Sequence, residues 1–577
     1  MSLTHGGGVA FSRDVGLERD APKDVRVFRL AGTTAIADPR FQADTILVVR
    51  FSADDNKSSL PTVPVLGRAH DLAAAFHALH NAPGMVAKPA DNSDQTPAAM
   101  PVTVAEDVDR FRLYDTLVTP DATPLTGIDQ QTRDDLAAAM LDADLNRTSL
   151  IPAAYTYFGQ FLAHDMTYMR CAERLNGVCI AWENTQHPHV LDFASLFGTI
   201  AKLGLPTSQW VASADCSLGL ASTVPAGFVQ TYDLPRRGAT ASACCVDARV
   251  DSNLALAQMH VLLARFHQKI AEELGLSDAE SKAATRQHLQ AVVLTDYLPR
   301  IIPDAIYNNV MNNGRTVVAT SESFLVPLEF AAAVFRFGHS MVRPRYKPWP
   351  LHGPPGGFLR RAASLDALLT YTGESVGNGG QLPHIWGQIW RHMVDMPGIA
   401  PGDKVMARPI MASVASPLGT VNNLRFPDVP VPQNASQFSL PAQTLNRSDD
   451  FGLPSGQALA TLVGLANPLD IHQFLVDRQV RFGNLSNNAN LCSATPAWFY
   501  TLAEAEAFGA GKLGPMAARI VMETFHAALA ADPDGILDVS PTGMSSINFA
   551  RQVRIGQGAI NAFSLADVVG QAYGDAV

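Results

Sequence analysis

Basic runs, an export signal and long apolar stretches are all missing from this 577-residue chain, and each absence removes a class of function. Lysine and arginine total 43 against 54 aspartates and glutamates, a net charge of -11, and no Lys/Arg run supplies the footprint a phosphate backbone needs. Nucleic acid is therefore not an expected partner. No run of about eighteen uncharged apolar residues occurs, so no transmembrane segment is expected. The opening Met1-Ser2-Leu3-Thr4-His5-Gly6-Gly7-Gly8 has neither a basic start nor an apolar core, so a cytoplasmic address is the default, with signal-less secretion left open. Cysteine is sparse: Cys171, Cys179, Cys216, Cys244, Cys245 and Cys492 form no CxxC pair, which excludes a zinc framework and a disulfide scaffold. Cys171 and Cys179 are near enough to bridge a short loop, but reduced thiols are expected without an export signal. No period of twenty to fifty residues repeats, which excludes a solenoid.

A hydrophobic share of 47% over this length allows a large core, in two to four domains or one large enzyme domain. Residues 1–110 are rich in Gly, Ala, Pro and Asp and hold one β-branched run, Thr45 to Phe51, that reads as a strand; residues 81–102 read as loop. These residues are expected to form an N-terminal extension containing some β, and residues 111–577 the main domain. Apolar positions at helical spacing predict helices over Arg133–Asp144, Ala154–Met169, Ser252–Leu274, Ser281–Leu298, Leu325–Phe337 and Pro515–Ala531. Pro344–Gly357 and Ala400–Gln443 read as irregular loops. The fold class is mainly α, a single large helical domain.

The stretch Ala154–Met169 places two reactive side chains in an apolar and aromatic run. Gln160 and His164, four apart, share a helix face, and Asp165 is turned about 100° from His164. Alone, a histidine in such a helix is ordinarily a hydrogen-bonded core residue. The wording Gly159-Gln160-Phe161-Leu162-Ala163-His164-Asp165 resembles the distal-histidine helix of the animal-type haem peroxidases, the peroxidase-cyclooxygenase superfamily. Two further segments follow in that family's order. Asp247-Ala248-Arg249-Val250-Asp251-Ser252-Asn253, approached by Asp233-Leu234-Pro235-Arg236-Arg237, resembles its distal-arginine motif. Phe335-Arg336-Phe337-Gly338-His339-Ser340 resembles its proximal-histidine motif. Leu445 to Gln457 resembles the segment behind the proximal side, and residues 495–521 resemble the C-terminal helices of the bacterial branch.

The resemblance implies haem b as cofactor, with His339 as iron ligand, Arg336 and Arg447 as propionate partners and His164, Arg249 and Gln160 on the catalytic side. That division suits peroxide chemistry. An imidazole can take a proton and return it, while a guanidinium stabilises charge on a leaving oxygen. The iron ligand needs an acceptor for its second nitrogen. The family uses an Asn there; counting back from Gly452 gives Thr444, with Asn446 two residues on, and both stay open. The family's ester-forming carboxylates are replaced by Ala163 and Ser252, and its sulfonium-forming Met by Asn253, so haem b is expected to be held non-covalently.

The family's calcium would fall on Asp165 and Asp192, but Pro188 and Ala194 stand where further oxygen ligands are expected, and calcium needs six to eight. One calcium ion is an open alternative to a structural Asp165. The tyrosine of the cyclooxygenase branch is replaced by Arg336. His260 with His267, and His384 with His392, lack further ligands at metal spacing and read as core or surface residues. The resemblance thus implies a haem peroxidase that reduces hydrogen peroxide and oxidises small electron donors. A haem-dependent fatty-acid dioxygenase or hydroperoxide-metabolising enzyme of the same fold, and a degenerate non-catalytic relative, are the alternatives. Donor, halide use and oligomeric state are not legible.

Overall fold

Helix starts in this chain are fixed by short polar side chains that take up the otherwise orphaned first N–H groups. Asp129 accepts from Thr132 and opens α1 (Gln130–Ala139). The aromatic helix α2 (Ala154–Met166) has no such cap and relies on burial. Asn253 opens α3 (Leu254–Leu274), and Ser277 opens α4 (Asp278–Val292) with a reciprocal Glu280 capping box. Ser439 opens α5 (Leu440–Asp450). The helix α6 (Ala497–Phe508) supplies Glu504, whose carboxylate receives the Met516 and Ala517 N–H groups of α7 (Pro515–Ala530). Gly514 stands before α7 because a Cβ there would come within 2.3 Å of Glu504.

A computed structural model describes residues 11–13, 25–30, 45–51, 61–68, 128–167, 170–175, 178–183, 191–193, 195–197, 216–220, 232–237, 243, 245, 247–318, 326–352, 358–370, 382, 390–420, 439–532, 535–537, 551–555 and 558–573. The chain divides into two compact units, Met1–Arg110 with Met169–Gln186, and Phe111–Tyr168 with His187–Val577. The first unit contains an antiparallel sheet of β1 (Phe11–Arg13), β2 (Val25–Leu30), β3 (Thr45–Phe51) and β4 (Pro61–Arg68) in sequence order. The strand read from Thr45 to Phe51 is β3. The hairpin of Arg170–Leu175 and Val178–Glu183 also belongs to this unit; Cys171 pairs with Trp182 and Cys179 with Arg174, so the two cysteines are not cross-strand neighbours. The loop read over residues 81–102 lies outside the described residues.

The second unit is mainly α. Its centre is α3, where Leu256, Leu262, Leu263 and Phe266 are buried and which packs against α2, α4 and the helix Leu565–Tyr573. Several boundaries differ from the sequence reading. The helix expected over Arg133–Asp144 ends at Ala139, and Leu141–Asp142 pairs in parallel with Val414–Ala415. The helix expected over Ser281–Leu298 passes through a π turn, Val293–Tyr297, before a last turn at Leu298–Ile301. That expected over Leu325–Phe337 is Leu328–Ala332, broken at Ala333 (φ -131°, ψ -67°), followed by a 3-10 segment, Val334–Met341. Pro344–Gly357, expected as loop, holds the strand Arg345–His352. Tyr346 and Trp349 are buried while Arg345 and Lys347 are exposed, and the ladder shifts register between Tyr346 and Trp349, where Pro348 falls. Among the described residues no helix is long and apolar enough to cross a membrane.

Candidate active site

Helix α2 is buried on almost every side by Tyr155, Tyr157, Phe158, Phe161, Leu162 and Met166. The half-buried residues in its C-terminal half are Gly159, Gln160, Ala163 and His164. At about 100° per residue these four occupy one continuous arc of roughly 140°. His164 is half-buried, and burial is the largest effect on its imidazole. Gly159 is required at one edge of this arc, since a Cβ would lie 2.5 Å from the Tyr297 hydroxyl. Tyr297 comes from the π turn, a local widening of the helix that recurs at functional sites.

Arg249 reaches this face from a 3-10 turn, Ala248–Ser252, whose start is capped by the Asp247 carboxylate. Its Nε donates to both Asp247 oxygens at 2.9 Å, and its Nη2 donates to Asp247 Oδ2 at 2.6 Å and to the His164 carbonyl at 2.8 Å. The guanidinium is thereby held beside the imidazole. Burial, then the Arg249 charge, lower His164 to about 3 against the opposing pull of Asp247, so the ring is neutral and able to accept a proton. Its Nδ1 is buried without a hydrogen-bond partner among the described residues. Gln160 Oε1 accepts from Asn253 Nδ2 at 3.3 Å.

The 3-10 segment Val334–Met341 stacks Arg336 and His339, three residues apart, on one face, and both are half-buried. Thr444 Oγ1 lies 3.4 Å from His339 Nδ1 and donates its own proton to the Leu440 carbonyl at 2.7 Å. The hydroxyl is therefore left to accept from Nδ1–H, and the lone pair of His339 falls on Nε2. Asn446 is turned elsewhere and accepts from Arg133 Nε at 3.0 Å and Gln130 Nε2 at 3.3 Å. Of the two residues left open, Thr444 contacts the histidine.

Burial, then the charges of Arg447 and Arg249, push Arg336 well below the ordinary arginine range, and its Nε is buried without a partner among the described residues. The Arg336 charge acts on both His164 and His339, and α2 packs against the 3-10 segment, so the two motifs are neighbours. Trp498 was not picked out from sequence; its ring centre is 5.9 Å from that of His339 and its Nε1 donates to the Arg336 carbonyl at 3.1 Å. An aromatic run at residues 498–500 was the sole hint.

Asp165 points away into a loop, accepting from Phe193 N at 3.0 Å, Ser195 N at 3.1 Å and Ser195 Oγ at 2.9 Å. Burial, then the Asp192 charge, raise its carboxyl to about 7. Pro188, Ala194 and His384 lie outside the described residues. Among the described residues no group of three or more His, Cys, Asp or Glu could hold a metal ion. His267 shares a hydrogen bond with Thr285 at 2.7 Å, His392 bonds the Asp403 carbonyl at 2.9 Å and His260 packs edge-on to Phe161; all are buried core histidines.

Residues 229–533, a little over half of the chain, match the family model described as animal haem peroxidase. That span includes Arg249, Arg336, His339, Thr444 and Arg447, and begins after His164. The chain is 23% identical over 437 residues to "Heme peroxidase 2" of Caenorhabditis elegans, an alignment covering 65% of this chain and 58% of that protein. It is 24% identical over 313 residues to "Peroxidase mlt-7" of the same organism, covering 51% of this chain and 38% of that one. The chain thus spans 58% and 38% of the length of these two relatives. Peroxidase A from Dictyostelium discoideum shares the fold with a TM-score of 0.50 at 17% identity, over 76% of this chain and 88% of that structure.

Proposed function

We propose, from the premise that this chain belongs to the animal haem peroxidase family, that it is a haem peroxidase reducing hydrogen peroxide at the expense of small electron donors. The observation that carries the reading is the half-buried Arg336, whose Nε has no hydrogen-bond partner among the described residues, beside two imidazoles on elements that pack together. A guanidinium with an unpaired buried N–H needs an acceptor, which a haem propionate would supply. His339, with Nδ1 engaged by Thr444, offers Nε2 to iron. Arg336 and Arg447 would hold the propionates. Ala163 and Ser252 have no carboxylate with which to form an ester, so haem b would be held non-covalently.

Bound haem would supply the iron and porphyrin that accept the electrons of the donor and pass them to peroxide. The neutral His164 takes the proton of peroxide and returns it to the departing oxygen. Arg249, fixed through Asp247 and the His164 carbonyl, stabilises the negative charge that develops there. Gln160 lines the same face. A calcium ion at Asp165 and Asp192 is a further proposal, supported by the burial and then the Asp192 charge that raise the Asp165 carboxyl.

The test is a haemin titration of the purified protein followed by peroxide-dependent oxidation of a phenolic donor. A Soret band that acid-acetone removes, with turnover lost in His164→Leu, is expected. Oxygen uptake with a fatty acid and no donor oxidation would assign the chain to the dioxygenase alternative, and no Soret band would assign it to the non-catalytic one.

A further inference from the structure

Helix α5 carries two pairs of polar residues with the same spacing. Thr444 and Arg447 are three apart, as are Asn446 and Asp449, and at about 100° per residue the two pairs fall on roughly opposite faces. The first pair serves the iron ligand: Thr444 contacts His339 Nδ1, and the Arg447 charge acts on His339 and Arg336. The second pair is held by one side chain of α1. Arg133, 8% exposed, donates from Nε to Asn446 Oδ1 at 3.0 Å and from Nη1 to the Asp449 carboxylate. Its other bonds run to the start of its own helix, from Nη1 to the Ile128 carbonyl at 2.8 Å and from Nη2 to Gln130 Oε1 at 3.1 Å. Gln130 Nε2 adds a second donor to Asn446 Oδ1 at 3.3 Å. A planar guanidinium engaged along both edges has little freedom to turn. The platform beneath it is tied down independently, because Thr132 Oγ1 accepts from Asn488 Nδ2 at 3.0 Å.

We propose that Arg133 is a positioning residue for the iron ligand: by holding Asn446 and Asp449 it sets the rotation of α5 about its axis, and with it the reach of Thr444 to His339 and the placement of Arg447. Side-chain atoms ride about 5 Å from a helix axis, so a turn of about 10° carries the Thr444 hydroxyl about 0.9 Å. The contact of that hydroxyl with His339 is already at the long end for a hydrogen bond, at 3.4 Å, and has no such margin. The role also accounts for Asn446, which stands near the histidine in sequence and faces away from it in space. Because its consequence is felt at the iron ligand, the inference rests on the haem reading above.

The experiment uses the full chain loaded with haemin and reads the iron–histidine stretch of the ferrous form by resonance Raman, together with the rate of haemin release. Arg133→Lys keeps a cation for Asp449 but cannot span both acceptors. It should lower the stretch by part of the shift that Thr444→Val produces, and speed haemin release roughly threefold to tenfold through the displaced Arg447. In a Thr444→Val background the same change should leave the stretch where it is and still speed release. Asn446→Ala removes one arm of the hold and should shift the stretch less, in the same direction; it carries the test if Arg133→Lys does not fold. A purely structural ion pair would lower the Tm and leave the stretch alone. An unchanged stretch in these single variants, or an equal shift with and without Thr444, overturns the proposal while the haem reading stands. Absence of a Soret band in the wild-type protein overturns the haem reading itself, and this proposal with it.

Discussion

Replacing Thr444 by valine removes one oxygen at constant shape, and the consequence should be read at the iron rather than in folding. Thr444 is 2% exposed, and its Oγ1 is the group 3.4 Å from His339 Nδ1. A neutral hydrogen bond contributes about 0.5–1.5 kcal/mol net, and the length of this one favours the lower end. The bond lends the imidazole partial anionic character and so favours ferric over ferrous iron. With 59 mV corresponding to a tenfold equilibrium change for one electron, its loss should raise the ferric/ferrous potential by about 20 mV and by no more than about 60 mV. Spectroelectrochemical titration of the haem-loaded protein measures the shift, and the iron–histidine stretch of the ferrous form should fall with it. Thr444→Ser restores both values, while Thr444→Asp, a stronger acceptor, moves the potential down. If Thr444→Val and Thr444→Ser bind haem and give the same potential and stretch, the hydroxyl does not act on His339.

Burial raises the Glu504 carboxyl from 4.5 to about 7, against the opposing pull of the Met516 and Ala517 N–H groups. The native state then binds more protons than the unfolded chain between those values, so this contribution is complete below about pH 4.5 and declines as pH rises to 7, by roughly 3 kcal/mol. Stability curves of wild type and Glu504→Gln should diverge with that slope, and parallel curves would exclude it. Gly159→Ala should destabilise by about 1–3 kcal/mol, because the new Cβ meets a Tyr297 hydroxyl boxed in by Phe158 and Phe525. Tyr297→Phe should restore most of the loss in thermal unfolding; no rescue would place the strain elsewhere. Calcium bound at Asp165 and Asp192 predicts a Tm that falls on chelation with EDTA and recovers with calcium, but not in Asp165→Asn. An unchanged Tm would mean that the three hydrogen bonds from Phe193 and Ser195 hold the loop unaided.

Local chemistry made much of this legible in the chain itself. The motifs around Arg249 and His339 lie in the span that matches the family, and apolar spacing marked the long helices, because such signals depend on residues within a turn or two of each other. The shared face of Gln160 and His164 follows from helix geometry alone. The choice between Thr444 and Asn446 does not. Two residues apart on α5, they point about 200° from each other, and only the rotation of that helix against its neighbours decides which one meets a histidine 105 positions earlier. Packing also set the π turn that brings Tyr297 to Gly159, the 3-10 segment that stacks Arg336 on His339, and the approach of Trp498. Asn253 shows the division most clearly: its sequence marks a helix start, whereas its hold on Gln160, 93 positions away, exists only once α2 and α3 have docked. Short-range periodicity fixes which elements form, and the summed contacts of the core fix how each is turned.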